Sequence, residues 1–281
     1  MLRLRRTSAL FLLLVACSEE PTATDAGTRD VPASDVPASD VPVTDDAPPV
    51  VEDARVISTC DASAAGDGAT VSGHAHVFGP PGGSVSGAVV AVVGDPARCA
   101  VTDDRGAYRI DGFAQGSSFA LTMDHPNHPL LQTSTLTVPA EGLTHVLFQA
   151  PTVGIYRVIA QYLSYRPDPT RCQIAATVTA VGHTGYDTGG NGEVGATVSI
   201  DPPVPASSGP VYFRYLGPSA IVPARELTAT TLDGGVLFLD VPPGRYTLRA
   251  HKEGVRFNEV TIDCRAGWVV NAAPPHGLQA Y

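Results

Sequence analysis

The chain has 281 residues, a formal charge of −10, 28 Gly, 25 Pro and a single Trp. That density of Gly and Pro excludes a predominantly helical protein and favours many short strands joined by turns. The acidic balance, with no Lys/Arg cluster beyond the first six residues, argues against a nucleic-acid partner, and the length allows one or two domains.

Residues 1–16 have three parts. Arg3, Arg5 and Arg6 form a positive start, Ala9 to Val15 a short apolar run, and Leu14-Val15-Ala16-Cys17 sets small residues before a cysteine. The run is too short to cross a bilayer and reads as a cleaved signal peptide. Its last four residues resemble a bacterial lipobox. That resemblance implies cleavage before Cys17, diacylglycerol on its thiol and a further acyl chain, such as palmitate, on its freed amine. Several chains, at roughly 0.8 kcal/mol per buried methylene, make a durable anchor. An ordinary secretory signal with a chance cysteine is the alternative. Ser18, where Asp would favour retention, implies sorting to the outer membrane. The chain is therefore expected to be exported and held at the outer membrane or cell surface, with the membrane as its first partner.

From residue 17 to residue 55 no core can form. Between Ser18 and Arg55 there are ten acidic and two basic residues, and Asp-Val-Pro-Ala-Ser recurs from Asp30 and Asp35 and approximately from Asp40. Charge repulsion and proline stiffness keep such a stretch disordered and extended, at roughly 3 Å per residue. It reads as a spacer, with an acidic binding segment as the alternative.

Cys60, Cys99, Cys172 and Cys264 remain, an even number in an exported chain, which points to disulfides with three possible pairings. The simplest keeps each bond within one domain, Cys60 with Cys99 and Cys172 with Cys264. Metal ligation is the rival, although no Cys-x-x-Cys pair exists.

Residues 56–151 read as one β-sandwich. Candidate strands are Thr70–Phe78, Ser86–Val93, Arg98–Thr102, Ala107–Ile110, Ser118–Asp124, Leu131–Val138 and Leu143–Ala150, separated by turns such as Asp103-Asp104-Arg105-Gly106. In residues 152–171 the apolar stripe Ile155, Val158, Ile159, Tyr162 and Leu163 predicts a helix over Ile155–Tyr165, stopped by Pro167 and Pro169 and packed between two sandwiches. Residues 172–281 repeat the first unit. With Gly106 set against Gly235, Tyr108-Arg109-Ile110-Asp111 lies over Leu237-Phe238-Leu239-Asp240. Further strands are expected at Gln173–Val181, Val194–Ile200, Val211–Leu216, Asn258–Asp263 and Gly267–Ala272, with an insertion around Asp201–Arg225. The expected fold class is all-β: two tandem antiparallel Greek-key β-sandwiches joined by a short helix, after a disordered N-terminal tether.

Gly87-Ala88-Val89-Val90, Thr102-Asp103-Asp104-Arg105-Gly106-Ala107-Tyr108, Gly116 and Phe119-Ala120-Leu121 resemble the carboxypeptidase regulatory-like domains, which are transthyretin-like sandwiches. In the second copy the matching residues are Gly195-Ala196-Thr197-Val198, Asp233-Gly234-Gly235 and Pro242-Pro243-Gly244-Arg245-Tyr246. Leu232 and Leu237 depart from the pattern, standing where the family has Asp and an aromatic. The resemblance covers about 180 of the 281 residues and implies a fold rather than an activity.

Candidate chemistry is sparse. His74 and His76 share a strand face, and distant relatives of such sandwiches include intradiol dioxygenases that hold iron with Tyr and His; Val71, Ala75 and Val77 on the other face favour solvent-facing histidines. His125 and His128 lie on a loop without the Glu of a zinc carboxypeptidase motif. Asp187, Asn191 and Glu193 sit in a Gly-rich turn open to two readings, calcium ligation or a simple hairpin. Trp268, Tyr212 and Tyr215 are the aromatics available to a carbohydrate platform. No catalytic residue, cofactor or metal site is assigned. The expected protein is a non-catalytic surface lipoprotein binding, adhering to or scaffolding a protein or glycan; a carbohydrate-binding module and a metal-dependent oxygenase of the intradiol type are the alternatives.

Overall fold

The computed structural model describes residues 58–61, 66–79, 82–184, 187, 190–217 and 220–281. The expected signal peptide, Cys17 and the acidic spacer lie outside the described residues. The fold is all-β with one short helix. In chain order the strands are β1 (Ala69–Phe78), β2 (Val89–Val92), β3 (Asp95–Val101), β4 (Ala107–Phe113), β5 (Ser118–Phe119), β6 (Leu121–Asp124), β7 (Leu131–Thr133), β8 (Leu136–Thr137) and β9 (Phe148–Pro151). Helix α1 (Val153–Tyr162) precedes β10 (Cys172–Thr177), β11 (Thr197–Asp201), β12 (Val211–Gly217), β13 (Ala220–Ala224), β14 (Gly235–Val241), β15 (Gly244–His251), β16 (Val260–Cys264) and β17 (Val269–Asn271).

The first sandwich packs β4-β1-β9 against β3-β2-β6-β7, enclosing Val71, Tyr108, Ile110, Leu121, Met123 and Phe148. The second packs β14-β10-β17 against β11-β15-β16, enclosing Ile174, Val236, Phe238, Leu248, Ile262 and Val270. Alternation along each strand sends these side chains inward and leaves polar neighbours outside. Most pairs are antiparallel, but β1 with β9, β10 with β17, and β17 with β7 run parallel. The last pair joins the halves. It makes one nine-stranded sheet, β13-β12-β14-β10-β17-β7-β6-β2-β3, that runs through both sandwiches.

Buried polar side chains fix this seam. Gln132 donates through Nε2 to the Asp263 carbonyl at 2.7 Å and accepts from Arg265 Nε at Oε1. Asn271 Nδ2 donates to the Leu147 carbonyl at 3.1 Å, and the Thr135 N–H to the Thr261 carbonyl at 2.9 Å. Gln132 and Asn271 are both buried, so a slip in register would strand their amides without partners.

The disulfides pair Cys60 with Cys99 and Cys172 with Cys264. The second ties β10 to β16 across the core of its sandwich. The first pins the incoming chain to edge strand β3, where the Ser58 N–H and hydroxyl both donate to the buried Asp124 carboxylate at 2.9 and 3.0 Å. With sequence separations of 39 and 92 residues, each bond contributes on the order of 4 kcal/mol in the chain-entropy model.

The internal repeat extends to individual hydrogen bonds. In the first copy Thr102 Oγ1 donates to the Val85 carbonyl and accepts from the Ala88 N–H; in the second Thr230 Oγ1 donates to the Glu193 carbonyl and accepts from the Ala196 N–H. The register differs by one residue from the alignment of Gly106 with Gly235. Val71 pairs with Ile110 and Ile174 with Phe238, so Tyr108 and Ile110 correspond to Val236 and Phe238, and Gly106 to Gly234. Leu237 points away from the core that Val236 and Phe238 fill, and Val236 rather than an aromatic stands in the place of Tyr108.

Two local expectations also change. The segment around Asp201–Arg225 is a hairpin, β12–β13, added to the sheet beside β14. Pro223 obscured β13 in the sequence, but at a sheet edge a missing N–H costs nothing. Helix α1 begins at Thr152, whose hydroxyl caps the Ile155 N–H. Leu163 and the half-buried Ile159 pack against Val211 and Leu239, and Ala160 is buried, while Val158 and Tyr162 are each 60% exposed. The buried stripe is thus rotated toward Ala160 and away from Val158 and Tyr162.

Gly106 and Gly234 adopt φ of +75° and +73°, and a Cβ on either would lie 2.3 Å from a backbone carbonyl oxygen, that of Ala75 or Val178. Gly106→Ala and Gly234→Ala are therefore expected to destabilise the protein similarly. Each should cost at least about 1–2 kcal/mol from the left-handed backbone alone, read as a lowered midpoint in urea unfolding; unchanged midpoints would contradict the equivalence.

Candidate ligand cleft between the sandwiches

The core-distal face of β10, β14, β12 and β13 is only partly roofed. Helix α1 covers one side, and Phe78, Gln149 and Pro151 of the first sandwich reach over another. Between them lies a cleft of about 330 Å³. Its walls are mostly apolar, with Phe78 meeting Phe213 edge-on at 6.3 Å between centroids and Ile159, Ile221 and Leu237 beside them. Such a volume and lining match a small-molecule site.

Its polar groups are few. Thr179 is 2% exposed, and its hydroxyl finds no hydrogen-bond partner. Tyr165 presents a second buried hydroxyl without a partner in hydrogen-bonding geometry; burial, reinforced by neighbouring Tyr156, raises its ionisation above the ordinary phenol range. Asp233 and Asp187 are the acids of the lining, and no lysine, arginine or histidine joins them among the described residues.

Asp233 shows how the repeat diverged to build the cleft. In the first copy the Asp103 carboxylate caps the turn alone, accepting the N–H groups of Arg105 and Ala107 at 2.8 Å each. Those bonds, from Ala107 first, hold Asp103 below the usual carboxylate range. In the second copy the work is divided. Thr231 Oγ1 takes the Asp233 N–H at 3.4 Å, and Asp233 Oδ2 takes the Gly235 N–H at 3.0 Å. Asp233 is half-buried in doing so, and that partial burial pushes its carboxyl up.

The cysteines predicted to form disulfides do so; Cys17 lies outside the described residues. His74 and His76 share a face as expected, with rings stacked at 5.8 Å, His74 exposed and His76 half-buried. Burial, with His74 as a lesser cause, lowers the His76 imidazole. His128 is not an open loop residue: it is 4% exposed, and its Nδ1 donates to the Pro151 carbonyl at 2.9 Å, holding the entry to α1. In the Gly-rich turn, Glu193 pairs with Lys252, and Asp187 accepts the Thr184 N–H at 2.8 Å and faces His183. Among the described residues no three His, Cys, Asp or Glu side chains gather where they could share a metal ion. Tyr212 lies in the core, 2% exposed, with its hydroxyl on the Val198 N–H, and the Trp268 ring is covered by Arg265 at 4.0 Å. Tyr212 therefore offers no face to a ligand, and one face of Trp268 is taken by Arg265. Thr179 and Asp233 escaped the sequence reading, since Asp233-Gly234-Gly235 carries only the signature of a turn. No helix among the described residues is long and apolar enough to cross a membrane.

Fold and cleft together define a disulfide-linked all-β double sandwich with an open site on one sheet face. No protein-family model and no curated protein matches the chain. Among solved structures it is similar to the Bacillus anthracis TIE protein, at 10% identity and a TM-score of 0.23, over 73% of this chain and 34% of that one. The chain thus spans about a third of the length of the TIE chain. It is also similar to GBS52, the minor pilin of Streptococcus agalactiae, at 9% identity and a TM-score of 0.24, over 75% of this chain and 95% of that one. The shaft pilin spaA from Lactobacillus rhamnosus GG follows at 11% and 0.22, over 72% and 96%.

An acid whose folded value lies above its unfolded one contributes stability that is complete below the unfolded value and lost as pH rises through the folded one. Asp233→Asn keeps an acceptor for Gly235 and removes the half-buried charge. It is expected to raise Tm at neutral pH and leave it nearly unchanged near about pH 3, checked by scanning calorimetry at both; an unaltered Tm at neutral pH would show that burial of this carboxylate costs nothing.

Proposed function

We propose that the chain is a membrane-anchored, non-catalytic surface lipoprotein that presents a stiff double sandwich for binding or scaffolding. The observation that carries this reading is the nine-stranded sheet shared by both halves. A sheet continuous through two sandwiches, with amides buried at its seam, resists the hinge motion that separate domains allow. The chain enters that body at Ser58–Cys60, clamped by a disulfide and the Asp124 carboxylate. Ahead of the clamp the acidic, Pro-rich stretch and the lipobox-like Leu14–Cys17 supply reach and attachment. The partner in this reading is a protein or glycan at the cell surface, met at a distance from the anchoring membrane.

Cys17→Ser is expected to abolish acyl labelling and to shift the protein from the membrane to the soluble fraction. Label retained on that variant would overturn the anchor assignment.

A further inference from the structure

We propose that the cleft between the sandwiches binds a small organic cation, a primary ammonium carried on an aromatic or branched apolar body. The inference rests on the non-catalytic binding role proposed above and is independent of the anchor.

Three observations converge. The first is an unmet hydrogen bond: the Thr179 hydroxyl is 98% buried by its 2% exposure, lines the cleft and has no partner. Folding alone leaves such a group desolvated and uncompensated, whereas a ligand donor or acceptor in the cleft completes it. The second is the sign of the charge. Asp233 spends one oxygen on the Gly235 N–H, its one hydrogen bond among the described residues, and Asp187 stands in the same lining. The His183 ring meets Asp187 at 3.2 Å from outside the lining, and no lysine, arginine or histidine among the described residues lines the cleft beside Asp233. An anion entering there meets repulsion; an ammonium meets charge-assisted acceptors. The third is the apolar wall. Phe78, Phe213, Ile221 and Leu237 offer ring faces and branched carbons to the body of the ligand, and aromatic faces attract a cation as well.

The divergence of the repeat supports the same conclusion. The first turn is capped by an exposed Asp103, which is the cheaper arrangement. The second moves its carboxylate into the cleft and leaves Thr231 to cap in its place. A carboxylate drawn into partial burial beside an apolar wall, where a solvated one serves the first turn, is a feature of binding sites.

The test uses the full chain carrying Cys17→Ser, so that no acyl group competes for an apolar cleft. Phenethylammonium, 2-phenylethanol and 3-phenylpropionate share one body and differ in charge. Isothermal titration is expected to rank the ammonium first and the carboxylate last. Asp233→Asn should weaken the ammonium by about tenfold and leave the alcohol unchanged, and Thr179→Val should weaken both by a smaller factor. The proposal is overturned if none of the three binds at millimolar concentration, if the carboxylate binds as well as the amine, or if Asp233→Asn leaves the ammonium affinity intact. Should either variant fail to fold, amide shifts of Thr179 and Leu237 in the unsubstituted cleft decide the matter: movement with phenethylammonium supports the site, and stillness removes it. Conversion of the amine to a new product would refute the non-catalytic reading while leaving the site in place, so the two failures are distinguishable.

Discussion

The parallel pairing of β7 with β17 is the constraint on which the rest of the architecture depends. Three residues on each side, Leu131–Thr133 and Val269–Asn271, convert two sandwiches into one sheet. Backbone pairing alone would be a weak joint, since parallel ladders are slanted and this one is short. What fixes it is the burial of Gln132 and Asn271: both groups of the Gln132 amide are met by the opposite half, and the Asn271 Nδ2 donates to a carbonyl there. A buried amide contributes little net stability when paired and costs much when orphaned, so its main effect is to select one register.

That joint also explains why a cleft exists. Once β17 is held against β7, the core-distal face of β10, β14 and β12 turns toward the first sandwich but is too broad for it to cover. Helix α1 fills part of the gap with Ile159 and Leu163, and the hairpin β12–β13 widens the face further. The β12–β13 hairpin has no counterpart in the first copy. It adds Phe213 and Ile221, two of the apolar walls of the cleft.

Much of the fold was legible because β-structure writes short-range rules. Alternation in Tyr108–Ile110 and in the second copy, turn residues at Asp103–Gly106 and Pro242–Gly244, and an even set of cysteines gave the strands, the repeat and the disulfides. The one-residue error in the repeat came from matching Gly106 to Gly235 by identity, when the glycine under conformational demand is Gly234, whose φ and carbonyl contact reproduce those of Gly106. Two adjacent glycines look alike in sequence; only the backbone distinguishes them. The rotated face of α1 has a similar origin. Val158 and Tyr162 satisfy a hydrophobic periodicity but are exposed, and the buried side of the helix carries Ala160 and Leu163 instead. The shared sheet was not legible at all, because the sequence of a strand says that it will pair and not with which distant edge.

The candidate site was the least legible part, for a reason that follows from how it is made. Asp233 and Thr179 have ordinary side chains at ordinary sequence positions. Their chemistry comes from packing, which buries the Thr179 hydroxyl and half-buries the Asp233 carboxylate at the cleft. Asp103 and Asp233 stand in equivalent turns and differ in direction of shift, one lowered by two N–H donors and the other raised by burial. Acids in equivalent turns thus acquire opposite electrostatic character, Asp103 from the N–H groups of its own turn and Asp233 from partial burial at the cleft, so the chemistry of the second turn is set by the wall it faces as much as by its own loop.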